Sequence, residues 1–150
     1  MMTEFEARNP DFAAVVRSSF DSQPFMAHIG ASLVSVTPGA CEISLDHRPE
    51  LTQQHGFVHG GVVGAIIDSA MGYAAFSLAV PGSSVLTVEY KLNLVAPGDG
   101  DRLIARGEVA RAGRTLTVCR GEVFVVKNGE ETLCAVASQT VMIFADRPDR

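Results

Sequence analysis

Positive charge is scarce in this chain. Twelve Lys and Arg stand against seventeen Asp and Glu, a formal net charge of −5, so the basic excess needed to track phosphates is missing and nucleic acid is not an expected partner. Cysteine is scarce too: Cys41, Cys119 and Cys134 are odd in number, far apart and set in apolar or alternating stretches. That argues against a disulfide framework or a nucleophile and for small buried hydrophobes in reducing surroundings. No stretch reaches the roughly 20 uninterrupted apolar residues of a membrane span, because Asp68 breaks the longest candidate. The opening MMTEFEARNP carries acids and no apolar run, unlike a secretory leader. The expected setting is the cytoplasm, away from membranes. Also absent are a G-x-S-x-G elbow, a phosphate-binding loop, a G-x-G-x-x-G after a strand, and H-E-x-x-H or paired-cysteine spacing, which removes the serine-hydrolase, nucleotide-motor and zinc readings. His55 and His59 are four apart but straddle Gly56 in a loop, so no metal is expected there.

What is present suffices for one core. Of 150 residues, 47% are hydrophobic, enough for a single domain spanning 1–150, and no repeat, linker or low-complexity run divides it. Asn9, Pro10 and Asp11 precede Phe12, Val15, Val16 and Phe20 at helical spacing, which predicts a short N-terminal helix. Residues 28–36 and 41–45 look extended around the Pro38-Gly39 turn, and 48–58 form an irregular polar loop. Residues 61–79 read as one helix with apolar side chains around nearly its whole circumference, which demands burial. Four strands follow at 85–95, 103–110, 115–126 and 133–144, separated by hairpin signals that include Asn128-Gly129. The prediction is an α+β fold: a curved, largely antiparallel sheet of about six strands wrapped around one long central helix.

Asp68 is the sole carboxylate between Glu50 and Glu89, and it sits mid-way along that apolar helix. A carboxylate there is costly unless it faces a cavity or is paired, so it is either functional, at a solvated edge, or hydrogen-bonded to a strand. His59, Gly60 and Gly61 fall where the loop becomes the helix. The first N–H groups of a helix lack internal acceptors and carry the positive end of its dipole, so bare glycine amides there suit a developing oxyanion. Along one axis Gly60 and Asp68 are roughly 12 Å apart, whereas a reacting carbonyl needs both groups within about 3 Å. If both act, the amide of one subunit must face the carboxylate of another, as a two-fold dimer with antiparallel central helices provides.

The run GFVHGGVVGAIIDSAMGYAA at 56–75, with two strands before the helix and four after, resembles the hotdog-fold acyl-CoA thioesterases of the phenylacetate-degradation type over residues 29–144. The resemblance implies that the Gly60 amide polarises a thioester carbonyl, that Asp68 of the facing subunit is nucleophile or base for water, and that His59 orients the loop or thioester. It implies an amide side chain six residues before the histidine, a place filled here by Gln53, and a hydroxyl on the next strand, best matched by Thr87. Gly61 and Phe57 join these as substrate contacts. No cofactor is implied. For coenzyme A, an anion, Arg111, Arg114 and Arg120 around the Gly113 turn are candidates, with Lys91 less secure; as readily, they are solvated strand-end charges. Phe57, Met71, Tyr73, Phe76 and Phe124 either line an acyl pocket or belong to the core. His28 and His47 read as structural or exposed. A homodimer follows from the geometry, and a homotetramer from the resemblance alone. A hotdog hydratase using His59 and Asp68, or a non-catalytic acyl-CoA binding module, are the other readings.

Overall fold

The structure is a computed structural model and describes residues 4–149. Two short helices open it, α1 (Phe12–Asp21) and α2 (Pro24–Ile29), followed by strands β1 (Ala31–Thr37) and β2 (Ala40–Asp46). After a single 3₁₀ turn at Pro49–Leu51 comes the long helix α3 (Gly60–Phe76), then β3 (Ser84–Leu94), β4 (Arg102–Ala112), β5 (Leu116–Lys127) and β6 (Glu130–Phe144). All six strands form one sheet in the order β1-β2-β4-β5-β6-β3, and every neighbouring pair is antiparallel. Helix α3 packs on one face against β2, β3, β4, β5 and β6, so the predicted wrapped-helix architecture is the one observed.

The start of the fold differs from expectation. Residues 24–29 form a helix where 28–36 reads as extended, because Pro24 at the first helical position has its φ preset and Gly30, at φ 79°, closes the turn in the left-handed conformation. His28 therefore ends a helix rather than opening a strand. Pro10 lies outside α1, whose first residue is Phe12, and the Asn9 side chain accepts from the Asp11 N–H at 2.9 Å.

Two strand glycines set the depth at which α3 sits. Gly107 of β4 pairs with Gly121 of β5, and Gly121 pairs in turn with Ala137 of β6, making a row of small residues across three strands. A Cβ at Gly107 would lie 2.5 Å from the Ala70 carbonyl carbon and the Met71 nitrogen, and one at Gly121 would lie 2.4 Å from Ile67 Cδ1. Helix backbone therefore rests directly on strand backbone. Around that contact Ile66, Ile67, Ala70 and Met71 are fully enclosed with Ile43, Leu45, Val123 and Val141. The three cysteines are buried and free, and desolvation pushes the Cys41 and Cys119 thiols up to about 12.

Burial of α3 is incomplete in one respect. Gly61 is exposed, and Val62, Ala65, Asp68, Ser69 and Gly72 keep partial exposure, a stripe at helical spacing made mostly of small and polar residues rather than the buried helix expected. The edge strand β3 also departs from simple alternation. Its register against β6 shifts between Thr87 and Glu89, a bulge that reverses which residues face the helix. Before it, Thr87 points to α3; after it, Glu89 points outward and accepts from Thr140 Oγ1 at 2.6 Å, while Leu92 packs on the core.

Candidate active site

His59 caps α3: its Nδ1 accepts from the Gly61 N–H at 2.8 Å, which fixes Nδ1 as the unprotonated nitrogen. Gly61 thus directs its N–H to the cap. Gly60 carries the first N–H of the helix, for which no intrahelical acceptor exists. A Cβ at Gly60 would come within 2.8 Å of Leu94 Cδ1, the end of an exposed side chain that can move aside, and Tyr90 and Leu92 crowd Gly64 one turn on. The loop before the helix is tied down by its own backbone: His59 N–H donates to Leu51 O at 2.8 Å and Val58 N–H to Gly98 O at 3.1 Å.

Two turns along the helix, Asp68 is half-buried and held from two strands. Thr87 Oγ1 donates to Asp68 Oδ1 at 2.6 Å. Gln139 Nε2 donates to the same Oδ1, to the Asp68 carbonyl at 3.2 Å and to Thr87 Oγ1 at 3.1 Å. Gln139 is buried at 1% exposure, and its Oε1 has no partner among the described residues, a cost of about 1–3 kcal/mol for a buried carbonyl-type acceptor. The sequence reading missed this residue. The signal was there: in β6 the inward row runs Ala135, Ala137, Gln139, Val141, and an amide among apolar neighbours on a buried face needs a polar counterpart.

Beside Asp68 opens a cleft of about 370 Å³, bounded by Ser69, Gly72, Tyr73, Val85 and Thr87 and, on its far wall, by the α1–α2 corner. That wall is a hydrogen-bonded chain in which Gln23 Nε2 donates to the Tyr73 hydroxyl at 2.6 Å, Tyr73 meets Ser19 Oγ at 3.2 Å, and Ser19 donates to Asp149. Burial raises the Tyr73 phenol above its ordinary value, so it stays protonated and serves as a hydrogen-bonding wall.

The other candidates are scattered within the protomer. Gln53 Oε1 accepts from the His55 N–H in its own loop, and Phe57 is half-buried there. Arg111 and Arg114 are exposed beside the β4–β5 turn, and neither joins an ion pair among the described residues, whereas Arg120 is paired with Glu108 at 3.1 Å. Lys91 is exposed on β3. Met71 and Phe76 are core residues, Tyr73 reaches the cleft, and Phe124 lies outside it, its ring 4.9 Å beneath the Arg106 guanidinium. No group of three or more His, Cys, Asp or Glu among the described residues is placed to hold a metal.

A six-stranded antiparallel sheet wrapped on one long helix defines the hotdog fold. The model of the thioesterase superfamily matches residues 55–132, and the chain belongs to that family. A solved thioesterase family protein from Silicibacter pomeroyi is similar at 44% identity and TM-score 0.87, covering 89% of this chain and 98% of that one. A Halobacterium salinarum protein provisionally named an esterase is 31% identical over 156 residues, covering 97% of this chain and 99% of its own. The E. coli PaaI protein of the phenylacetic acid degradation operon shares the fold at TM-score 0.78 and 17% identity, over 87% of this chain and 91% of its own. Further relatives, 22% to 26% identical, carry names of acyl-CoA hydrolases. Among the described residues no helix is long and apolar enough to cross a membrane.

Proposed function

We propose that this thioesterase-family chain hydrolyses acyl-CoA thioesters at a site completed by two subunits. The observation that carries the reading is the fixed Asp68 carboxylate, held by Thr87 at the mouth of a cleft while Gly60, the first residue of the same helix, lies two turns away. In a two-fold dimer the partner's copy of that amide faces Asp68. Asp68 draws a proton from water as the water oxygen attacks the thioester carbonyl carbon. The oxyanion so formed accepts the Gly60 N–H and gains from the α3 dipole. When the intermediate collapses the C–S bond breaks, the sulfur takes the proton from Asp68, and the products are a carboxylic acid and coenzyme A. Direct attack by Asp68, followed by hydrolysis of the anhydride, gives the same products. Gln53 and His59 shape the loop over the carbonyl, Gly61 and Phe57 contact the substrate, and Arg111 and Arg114 take the nucleotide phosphates.

Surface chemistry supports the dimer. Strand β3 is an unpaired edge that exposes Leu86 (64%), Val88 (55%) and Leu94 (57%), and a long apolar edge is a template for another strand. The small-residue stripe of α3 beside it admits close approach of a second helix. Pairing of dimers into a tetramer and a cytoplasmic location belong to the same proposal.

The test is complementation. Asp68→Asn removes the carboxylate. Gly60→Pro removes the N–H and adds a ring whose Cβ meets only the exposed end of Leu94, at a first helical position that favours proline and after a residue, His59 at φ −60° and ψ 136°, already in the conformation proline requires. Each homodimer is expected to lose about 10²-fold or more in kcat, read as free thiol released from a panel of aryl and straight-chain acyl-CoAs. Mixed by co-refolding, the two variants recover about one-quarter of wild-type turnover, since half the dimers are mixed and each holds one intact site. An active Asp68→Asn enzyme rejects the role of Asp68, and dead mixtures reject the shared site.

A further inference from the structure

We propose that Gln139 is a positioning residue for this hydrolysis: its amide clamps Oδ1 of Asp68 together with the Thr87 hydroxyl, so that Oδ2 is the oxygen that meets water or the thioester. The inference rests on the reading of Asp68 as the reacting carboxylate. Thr87 has one proton, and it goes to Asp68 Oδ1; its oxygen is then free to accept from Gln139 Nε2. Oδ1 thereby receives two donors, one from β3 and one from β6, while Oδ2 has no partner among the described residues. A carboxylate at the end of a helical side chain otherwise turns about its terminal bond and exchanges its two oxygens. Two donors fixed to adjacent strands stop that rotation and aim one lone pair.

The orientation of the amide follows from the same contacts. With the amide reversed, Oε1 would face Oδ1 and the Asp68 carbonyl, three acceptors with no proton between them. Kept as it is, the amide leaves Oε1 buried without a partner. An apolar side chain at this enclosed position would carry no such unsatisfied atom, so what Gln139 adds is its donors, and all of them point at Asp68 and Thr87. Its place is rigid: β6 lies between β5 and β3, and Gln139 is paired with Cys119 on one side and Tyr90 on the other.

The experiment compares Gln139→Met, which keeps the length and removes both donors, with wild type. Expected are an unchanged oligomeric size and circular dichroism and a 10- to 100-fold loss in kcat with KM within about threefold, as a misplaced catalytic group gives. A folded Gln139→Met enzyme with wild-type kcat, or one whose loss is all in KM, overturns the clamp. Should that variant fail to fold, Gln139→Glu keeps the shape and replaces the donor amide by a carboxyl group; it is expected to lose at least about 10-fold in kcat with KM within about threefold, and a Gln139→Glu enzyme with wild-type kcat overturns the proposal. The Asp68→Asn variant separates the layers. If it is active, the catalytic reading fails; if it is inactive while Gln139→Met is unperturbed, only the clamp fails.

Discussion

Replacing Gly107 by alanine adds one methyl group where α3 rests on β4. The new carbon would lie 2.5 Å from the Ala70 carbonyl carbon and the Met71 nitrogen and 2.6 Å from the Ala70 oxygen, against an ordinary contact range of 3.4–4 Å. These neighbours are helix backbone, so no side-chain rotation relieves the clash and the helix has to lift by about 1 Å. Asp68 is two residues upstream, and its bond to Thr87 Oγ1 is 2.6 Å; a lift of that size breaks it. Overpacking of this kind costs about 1–3 kcal/mol, equivalent to a fall in Tm of roughly 2–12 °C for a domain of this size. Displacement of the carboxylate by about 1 Å predicts a loss in kcat near 10²-fold. Gly121→Ala is a second overpacked variant: its methyl meets the enclosed Ile67 at 2.4 Å (Cδ1) and 2.9 Å (Cγ1) and the Arg106 carbonyl oxygen at 3.1 Å, so it too is expected to lose stability. Thermal unfolding and acyl-CoA turnover on both variants give the answer. A Gly107→Ala protein with wild-type Tm and kcat refutes the claim that backbone contact at Gly107 sets the position of Asp68.

Two other outcomes follow from charge and burial. Desolvation holds the Cys41 and Cys119 thiols at about 12 against an ordinary 9.0, so below pH 9 both folded and unfolded chains keep them protonated and their stabilising effect is complete. Between pH 9 and about 12 only the unfolded chain ionises, and stability falls by about 1.4 kcal/mol per pH unit for each thiol; denaturant titrations at pH 8, 9.5 and 10.5 should show a slope that Cys119→Ala flattens, and an unaffected slope rejects the cause. Arg111→Ala and Arg114→Ala are each expected to raise KM for acyl-CoA about 3- to 10-fold without altering kcat, while leaving N-acetylcysteamine thioesters of the same acyl group untouched. Equal effects on both substrates would remove these arginines from nucleotide binding.

Local chemistry written in the chain made much of the molecule legible in advance. Proline and glycine punctuation, the apolar run with its lone Asp68, and the alternation in the last three strands are properties of neighbours in sequence, and they determined a helix-wrapped antiparallel sheet with glycine amides at one helix entry. Even Gln139 was readable in principle, as an amide in an inward row. Other features depended on partners distant along the chain. The bulge after Thr87 arises only when β3 meets β6, and it alone turns Thr87 toward the helix and Glu89 away. The depth of α3 was decided by Gly107 and Gly121 becoming cross-strand neighbours. Pro24–Ile29 went unrecognised as helix because six residues carry too little periodicity to outweigh an extended reading. The carboxylate was therefore announced by sequence, but the two donors that hold it were assembled by tertiary structure, because hydrogen bonds across strands require the sheet to exist first.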